Sequence, residues 1–354
     1  MVWSLVETQA NATQSSPERI YTDFFNLCGI PFSITPDPEF LYLSDTHQSV
    51  FEKLQYGIRG RMGFMVLTGE VGTGKTTLCR ALLDRLQGQA RTVYVINPSL
   101  SGKELLAAIL DDLGTCCTVP DSKKGLIDRL NRFLLNEGLG QPVVIIIDDA
   151  QTMPLETLED LRLLSNLETD KSKLLQILLV GQPELLELID RRELRQLKQR
   201  ISIHCHLGFL SREEVSGYIE RRLAVAGNQG QVRFSPKAVQ RIHRVSKGTP
   251  RMINKLCDLA LTAAYAADCA MVEARHISVA EKELIGTTSW KANNGSNDTA
   301  PRIPFRKASW LIGGLLLLAV AMGYWTYYHN ETAPSENRPE AISPTMENRL
   351  EPAE

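Results

Sequence analysis

Eight residues, Gly69 to Thr76, read G-x-x-x-x-G-K-T inside "VLTGEVGTGKTTL", between an apolar run and the start of a helical pattern. A strand that turns through glycines into a helix brings several backbone N–H groups together, and the helix N-terminus adds its partial positive charge. In that context the pattern specifies a phosphate-binding loop. Gly69, Glu70, Val71, Gly72, Thr73, Gly74 and Thr77 would supply the cradle, Lys75 would reach the β and γ phosphates, and the Thr76 hydroxyl would ligate Mg²⁺.

A loop of this kind demands a parallel sheet behind it. Five apolar runs supply the strands: residues 64–68, 92–97, 143–148, 174–180 and 202–207, with helical patterns between them. The third and fourth lack polar alternation, as expected of central strands covered on both faces. The third, in "QPVVIIIDDAQ", ends on Asp148, which would hold Mg²⁺ through its water shell, while Asp149 would orient or activate an attacking water. Gln182, closing the fourth strand in "LLVGQPEL", could contact the γ phosphate or that water.

After Leu207 the pattern becomes helix upon helix. Capping-box spacing at Ser211 to Glu214 and at Ser278 to Glu281, and Ser235 before Pro236, mark three helix starts. "SKGTPRMINKLCDLAL" places Arg251 in a first turn, able to reach a nucleotide and couple lid closure to its state. Arg195 and Arg200 lie in the basic stretch "LRQLKQRI".

The last part of the chain is of another kind. From Trp310 to Tyr328 no side chain is charged; as a helix this run is roughly 28 Å long, about the thickness of bilayer hydrocarbon. Aromatic residues sit at both ends, Arg302, Arg306 and Lys307 precede it, and the tail beyond Tyr328 holds six Glu against two Arg. The positive-inside rule then keeps the N-terminal part in the cytoplasm. The expected organisation is a disordered lead over 1–20, an α/β P-loop domain over 21–207, an all-α lid over 208–285, a linker over 286–308, one transmembrane helix over 309–328 and an extracytoplasmic tail over 329–354.

A net charge of −2 gives no overall basic field for nucleic acid, although Arg191, Arg192, Arg195, Lys198 and Arg200 form one dense basic stretch. The seven cysteines show no C-x-x-C spacing and read as reduced cytosolic thiols. His204 and His206, around Cys205, fit ordinary strand alternation better than metal ligation.

With these residues in view the chain resembles the AAA+ ATPases, and within them the ExeA/GspA family of general secretion pathway ATPases, which includes the MshM-type ATPases of pilus biogenesis. The resemblance runs from "YTDFFNLCGIPFSITPDPEFLYLS" through the phosphate loop, "INPSLSGKELLAAILDDLG", "LLVGQPEL", "LKQRI" and "KGTPRMINKLCDLAL", covering about residues 20 to 285. It implies ATP and Mg²⁺ as ligands, Lys75 and Thr76 as Walker A, Asp148 and Asp149 as Walker B, Gln182 as sensor one, Arg251 as sensor two, and Arg200 as an arginine finger acting in trans within a ring or dimer. It further implies that the "IPF" segment lies near adenine, and that inner-membrane secretion or pilus assembly proteins are partners. Two departures stand out. The second Walker B acid is Asp149 where relatives carry Glu, so hydrolysis is expected to be slow; and relatives carry a peptidoglycan-binding domain after the membrane helix, whereas 26 residues follow Tyr328 here. A DNA-binding regulator akin to transposition ATPases, and a scaffold that binds ATP without turnover, are the alternative readings.

Overall fold

The computed structural model describes residues 20–96, 98–115, 122–136, 141–164, 168–169 and 172–293. The run 309–328, most of the expected lead and linker, the tail, and Cys116 and Cys117 lie outside these residues. Among the described residues no helix is long and apolar enough to cross a membrane.

Five parallel strands form the main sheet: β1 (Phe64–Gly69), β2 (Arg91–Val95), β3 (Val143–Ile147), β6 (Leu175–Gly181) and β7 (Ile201–Leu207), in the order β2-β3-β6-β1-β7. Two-residue strands β4 (Glu168–Thr169) and β5 (Ser172–Lys173) pair antiparallel, and β8 (Arg233–Phe234) and β9 (Met271–Val272) pair parallel. All five expected strands form, their ends shifted by at most two residues. Every residue of β1, β3 and β6 is buried. That is why these runs lack polar alternation, and each buried Val, Leu or Ile contributes about 1.5–3 kcal/mol.

Helices cover both faces. On one side α4 (Gly102–Asp112), α5 (Lys123–Asn136), α6 (Leu155–Leu164), α7 (Glu184–Ile189) and α8 (Arg195–Lys198) pack on Phe64, Val66, Ile145, Ile147, Ile177 and Leu179. On the other, α2 (Asp45–Arg59) and α3 (Lys75–Leu86) pack on Met65, Leu67, Val144, Ile146 and Leu178. β1 connects across the sheet to β2 at one edge, while its neighbour β6 connects the other way, past β1 to β7, so the connections of these adjacent strands run in opposite directions. A crevice at the carboxyl ends of the strands is the usual ligand site of such a sheet.

The helical part comprises α9 (Arg212–Val225), α10 (Pro236–Ser246), α11 (Pro250–Ala266) and α12 (Ala274–Asn293). Ser211 and Glu214 form the expected capping box, and Ser235 caps α10 ahead of Pro236. The box expected at Ser278 is not a helix start. The helix begins one turn earlier, Ser278 lies inside it with its hydroxyl donating to the Ala274 carbonyl at 2.9 Å, and the cap is made by the Glu273 N–H donating to His276 Nδ1 at 3.1 Å. Spacing alone cannot separate a capping serine from one that bonds back within a helix.

The chain's N-terminal segment joins the helical part rather than the sheet. Tyr21 and Phe25, in and just after α1 (Ile20–Phe24), together with Leu27 and Phe32, pack with Val215, Ile219, Leu256 and Ile277, and the Tyr21 hydroxyl donates to Asp258 at 2.6 Å.

Candidate nucleotide site

The loop leaves β1 at Gly69 and enters α3 at Lys75. Two of its glycines hold backbone conformations that side chains avoid, with φ of 81° at Gly72 and 101° at Gly74. A Cβ at Gly72 would stand 2.7 Å from the Arg251 Cβ. Loop N–H groups can converge on a phosphate only if the loop carbonyls turn outward, and each outward carbonyl then needs a donor. Lys75 Nζ donates to Gly69 O at 2.7 Å and Glu70 O at 2.9 Å; the Arg251 N–H donates to Gly72 O at 3.1 Å; and His47 Nε2 lies 3.3 Å from Thr73 O. Burial pushes the Lys75 ammonium below its ordinary pKa, opposed by the nearby Asp148 and Asp149 carboxylates.

Strand register brings the second half of the site to the same edge. Ile147 of β3 is paired with Leu179 of β6, and Thr68 of β1 with Gly181. Asp148, Gln182 and the loop therefore emerge together. The Thr76 hydroxyl donates to Asp148 Oδ2 at 2.7 Å, and the Tyr94 hydroxyl on β2 donates to the same oxygen at 2.8 Å. The Asp149 N–H donates to Asp148 Oδ1 at 3.0 Å, so both oxygens of this buried carboxylate are fixed.

Asp149 itself is exposed and has a left-handed backbone, φ 52°. Gln151 links it to Gln182: its Nε2 donates to Asp149 Oδ1 at 3.2 Å, while its Oε1 accepts the Gln182 N–H at 3.1 Å.

A cavity of about 380 Å³ opens at this edge. Val71 to Thr77, Asp148, Asp149, Gln182 and Arg251 all border it, joined by Ser33 to Asp37, Phe40, Tyr42, Tyr218, Arg222 and Asn254. The volume falls within the range of ligand pockets, roughly 300–1,000 Å³. Phe32 itself turns into the helical core, and it is the following Ser33 to Asp37 that reach the cavity. The lid grips this segment: Arg222 donates to Pro31 O at 2.5 Å and Ser33 O at 3.1 Å, and Asn254 donates to Ser33 O at 3.1 Å.

Arg200 is not on the cavity; its guanidinium donates to the Arg162 carbonyl at 3.3 Å. Arg195 and Lys198 are exposed, Lys198 pairing with Asp190 at 2.7 Å. His204 and His206 each place a ring nitrogen 3.1 Å from Thr68 Oγ1.

Sequence reasoning did not single out His47, Tyr94, Gln151, Tyr218, Arg222 or Asn254. The one local signal was Ser44-x-x-His47, a helix-start spacing with His in the third position; the others are brought in by strand order and lid docking.

Fold and loop together define a P-loop protein of the AAA class. Residues 58–189 match the family model described as AAA domain. The particular kinship follows from sequence: over 311 residues the chain is 42% identical to General secretion pathway protein A of Aeromonas hydrophila, which bears out the resemblance read from the motifs. That match covers 86% of this chain and 54% of the relative, so the chain spans about half the relative's length. Among solved structures, the ORC2 protein of Aeropyrum pernix in its ADP form has a TM-score of 0.56 at 18% identity, covering 72% of each chain. Drosophila ORC bound to DNA has a TM-score of 0.56 at 16% identity, covering 82% of this chain and 72% of that one. At these identities the likeness shows the fold alone.

Proposed function

We propose that this chain binds ATP with Mg²⁺ in the cavity between loop and lid, hydrolyses it, and uses the cycle to drive assembly of a type II secretion or type IV pilus-like apparatus at the bacterial inner membrane. The observation that carries the nucleotide reading is the Thr76 hydroxyl held 2.7 Å from Asp148 Oδ2 at the mouth of the phosphate loop. Hydroxyl and carboxylate are hard oxygen donors suited to Mg²⁺, which when bound would neutralise phosphate charge. The chain's own groups do the rest. Lys75 would transfer its donors from the Gly69 and Glu70 carbonyls to phosphate oxygens, Arg251 would report the nucleotide to the lid, and Asp149, with Gln182 tied to it through Gln151, would orient a water.

The secretion role is supported by the kinship with General secretion pathway protein A, and membrane attachment by the uncharged run from Trp310 to Tyr328. In this reading the run spans the inner membrane, with the ATPase in the cytoplasm and the tail in the periplasm. Arg200 would act on the site of a neighbouring copy, which makes the working form a homo-oligomeric ring or dimer. Steady-state phosphate release by the full-length protein tests the enzymatic claim: Asp148→Asn should abolish Mg²⁺-dependent release, and release that persists unchanged would dismiss the assigned site. Asp149→Glu should raise turnover if the short acid limits the rate. Crosslinking in the host, followed by identification of the captured proteins, tests the apparatus.

A second reading rests on the exposed position of Asp149 and its tie to Gln151. A carboxylate one methylene short and already hydrogen-bonded is a weak positioner of water, since a displacement of about 1 Å can cost roughly 10²-fold in rate. The protein would then act chiefly as a switch that binds ATP, and nucleotide retained unhydrolysed by the wild-type oligomer would favour that version.

A further inference from the structure

Arg222, on lid helix α9, is 6% exposed, yet among the described residues it makes no ion pair. A buried cation is ordinarily matched by an anion. This one is matched by backbone: Nε donates to Pro31 O at 2.5 Å and Nη2 to Ser33 O at 3.1 Å, while Nη1 donates to the Tyr218 hydroxyl at 3.2 Å. That hydroxyl donates onward to Asn254 Oδ1 at 2.8 Å, and Asn254 Nδ2, on α11, donates back to Ser33 O at 3.1 Å. The hydrogen bonds close into a ring on one carbonyl, both of whose lone pairs are taken by donors from two lid helices. The Phe40 ring covers the guanidinium, 4.7 Å from it. Further along, the same segment is held from the other half of the molecule, where Arg80 of α3, the helix opened by the phosphate loop, donates to Pro36 O at 2.6 Å. Between these anchorages Ile34 borders the cavity, and neither its N–H nor its carbonyl has a hydrogen-bond partner among the described residues.

We infer that Arg222 is a positioning residue for the nucleotide base: closing the ring with Tyr218 and Asn254 on Ser33, it fixes the segment so that Ile34 meets the base edge, and so places base selectivity under the lid. The cavity walls suit a ligand with two unlike ends. Lys75, Thr76 and Asp148 border it where phosphate and metal would lie, and Ile34, Pro36, Phe40, Leu41 and Tyr42 give it an apolar wall for a flat ring. Adenine carries an acceptor, N1, beside its 6-amino donor, which matches one free N–H and one free carbonyl of a single residue. Guanine presents the reverse order at the same positions. A site whose polar groups are fixed rejects the mismatched edge, because its own donor and acceptor are then left unpaired. The inference rests on the reading of this cavity as a nucleotide site.

The experiment is calorimetric binding of ATP, GTP and inorganic triphosphate, each with Mg²⁺, to the full-length protein. Inorganic triphosphate has no base, so it reports the phosphate loop alone. Wild-type protein should prefer ATP to GTP. Arg222→Lys keeps the charge but loses the planar fork that spans two carbonyls and a phenol. It should weaken ATP by about 10-fold and inorganic triphosphate by less than about 2-fold, and should shrink the preference for ATP over GTP. Tyr218→Phe keeps the ring and opens the hydrogen-bond circle at one point, and should weaken ATP by about 3-fold with inorganic triphosphate again unchanged. If Arg222→Lys loses ATP and inorganic triphosphate together, Tyr218→Phe decides: a loss confined to the nucleotides supports the inference, and a parallel loss or none overturns it. ATP binding unchanged in Arg222→Lys, or a wild type that binds ATP and GTP alike, would also overturn it while leaving the nucleotide site in place. A wild type that binds none of the three ligands would overturn the nucleotide reading itself, and this inference with it.

Discussion

The Tyr94 hydroxyl donates to Asp148 Oδ2 at 2.8 Å, on the same oxygen that accepts the Thr76 hydroxyl at 2.7 Å. Burial first, and then the Asp148 carboxylate, raise the Tyr94 phenol far above its ordinary pKa, so it stays protonated and remains a donor. Two donors on one oxygen fix the carboxylate plane and leave its direction toward the loop determined by the sheet. Tyr94→Phe should therefore raise the Mg²⁺ concentration needed for half-maximal turnover by at least about 10-fold, the order expected for one hydrogen bond to a charged group. Nucleotide binding without Mg²⁺ should be unchanged. A titration of turnover against Mg²⁺ checks this, and a loss of metal-free binding would mean that Tyr94 supports the loop instead.

Gly72 is where loop and lid touch. Its φ is 81°, and the Arg251 Cβ lies 2.7 Å from the point a Cβ at position 72 would occupy, which leaves no room for alanine. Gly72→Ala should cost about 1–2 kcal/mol from the left-handed backbone alone, and should also displace the Arg251 N–H from the Gly72 carbonyl. Lower melting temperature together with faster hydrogen exchange at the start of α11 is the expected outcome. Faster exchange confined to the loop would separate the two effects.

Arg200 is held near Arg162 and away from its own chain's cavity. If it serves a neighbour's site, a mixture of Arg200→Ala and Lys75→Ala proteins should recover part of the turnover that each lacks alone. Turnover that stays absent at every mixing ratio would make the arginine structural.

Stability should fall on acidification. Burial lowers the pKa of both His47 and His276 below the ordinary 6.5. The unfolded chain then takes up protons first as pH drops, so the stability these neutral rings contribute is complete above about pH 6.5 and is lost as pH falls through their folded values. His276 is fixed as the neutral form by geometry as well, since Nδ1 accepts the Glu273 N–H and buried Nε2 has no partner among the described residues. Melting temperatures measured from about pH 8 to about pH 5.5 should decline, and the decline should shrink in a His47→Gln, His276→Asn double variant. An unchanged slope in that variant would place the titration elsewhere.

How much of this was legible in the sequence depends on how local the cause is. The five strands were readable because aliphatic runs such as Val143–Ile147 leave no polar face, and the loop because its glycines and Lys75 must be adjacent. Asp148 was readable because it ends a strand. Tyr94 was not, because its role requires β2 to lie beside β3, and strand order is a long-range property. Arg222 and Asn254 act on Pro31 and Ser33, some two hundred residues away in the chain, and only the docking of the N-terminal segment on the lid brings them together. Ser278 failed for the opposite reason: its local pattern was complete, but the Glu273 and His276 cap one turn earlier won.

The function proposed for this chain requires the loop around Lys75 to grip the phosphates of ATP, and a calorimetric titration of the full-length protein with ATP and Mg²⁺ tests this most directly. Wild-type protein should bind one ATP per chain, and Lys75→Ala should weaken that binding by at least about 10-fold, as expected when a buried charged donor to phosphate is removed. Binding of equal strength in both proteins, or none in the wild type, would contradict it.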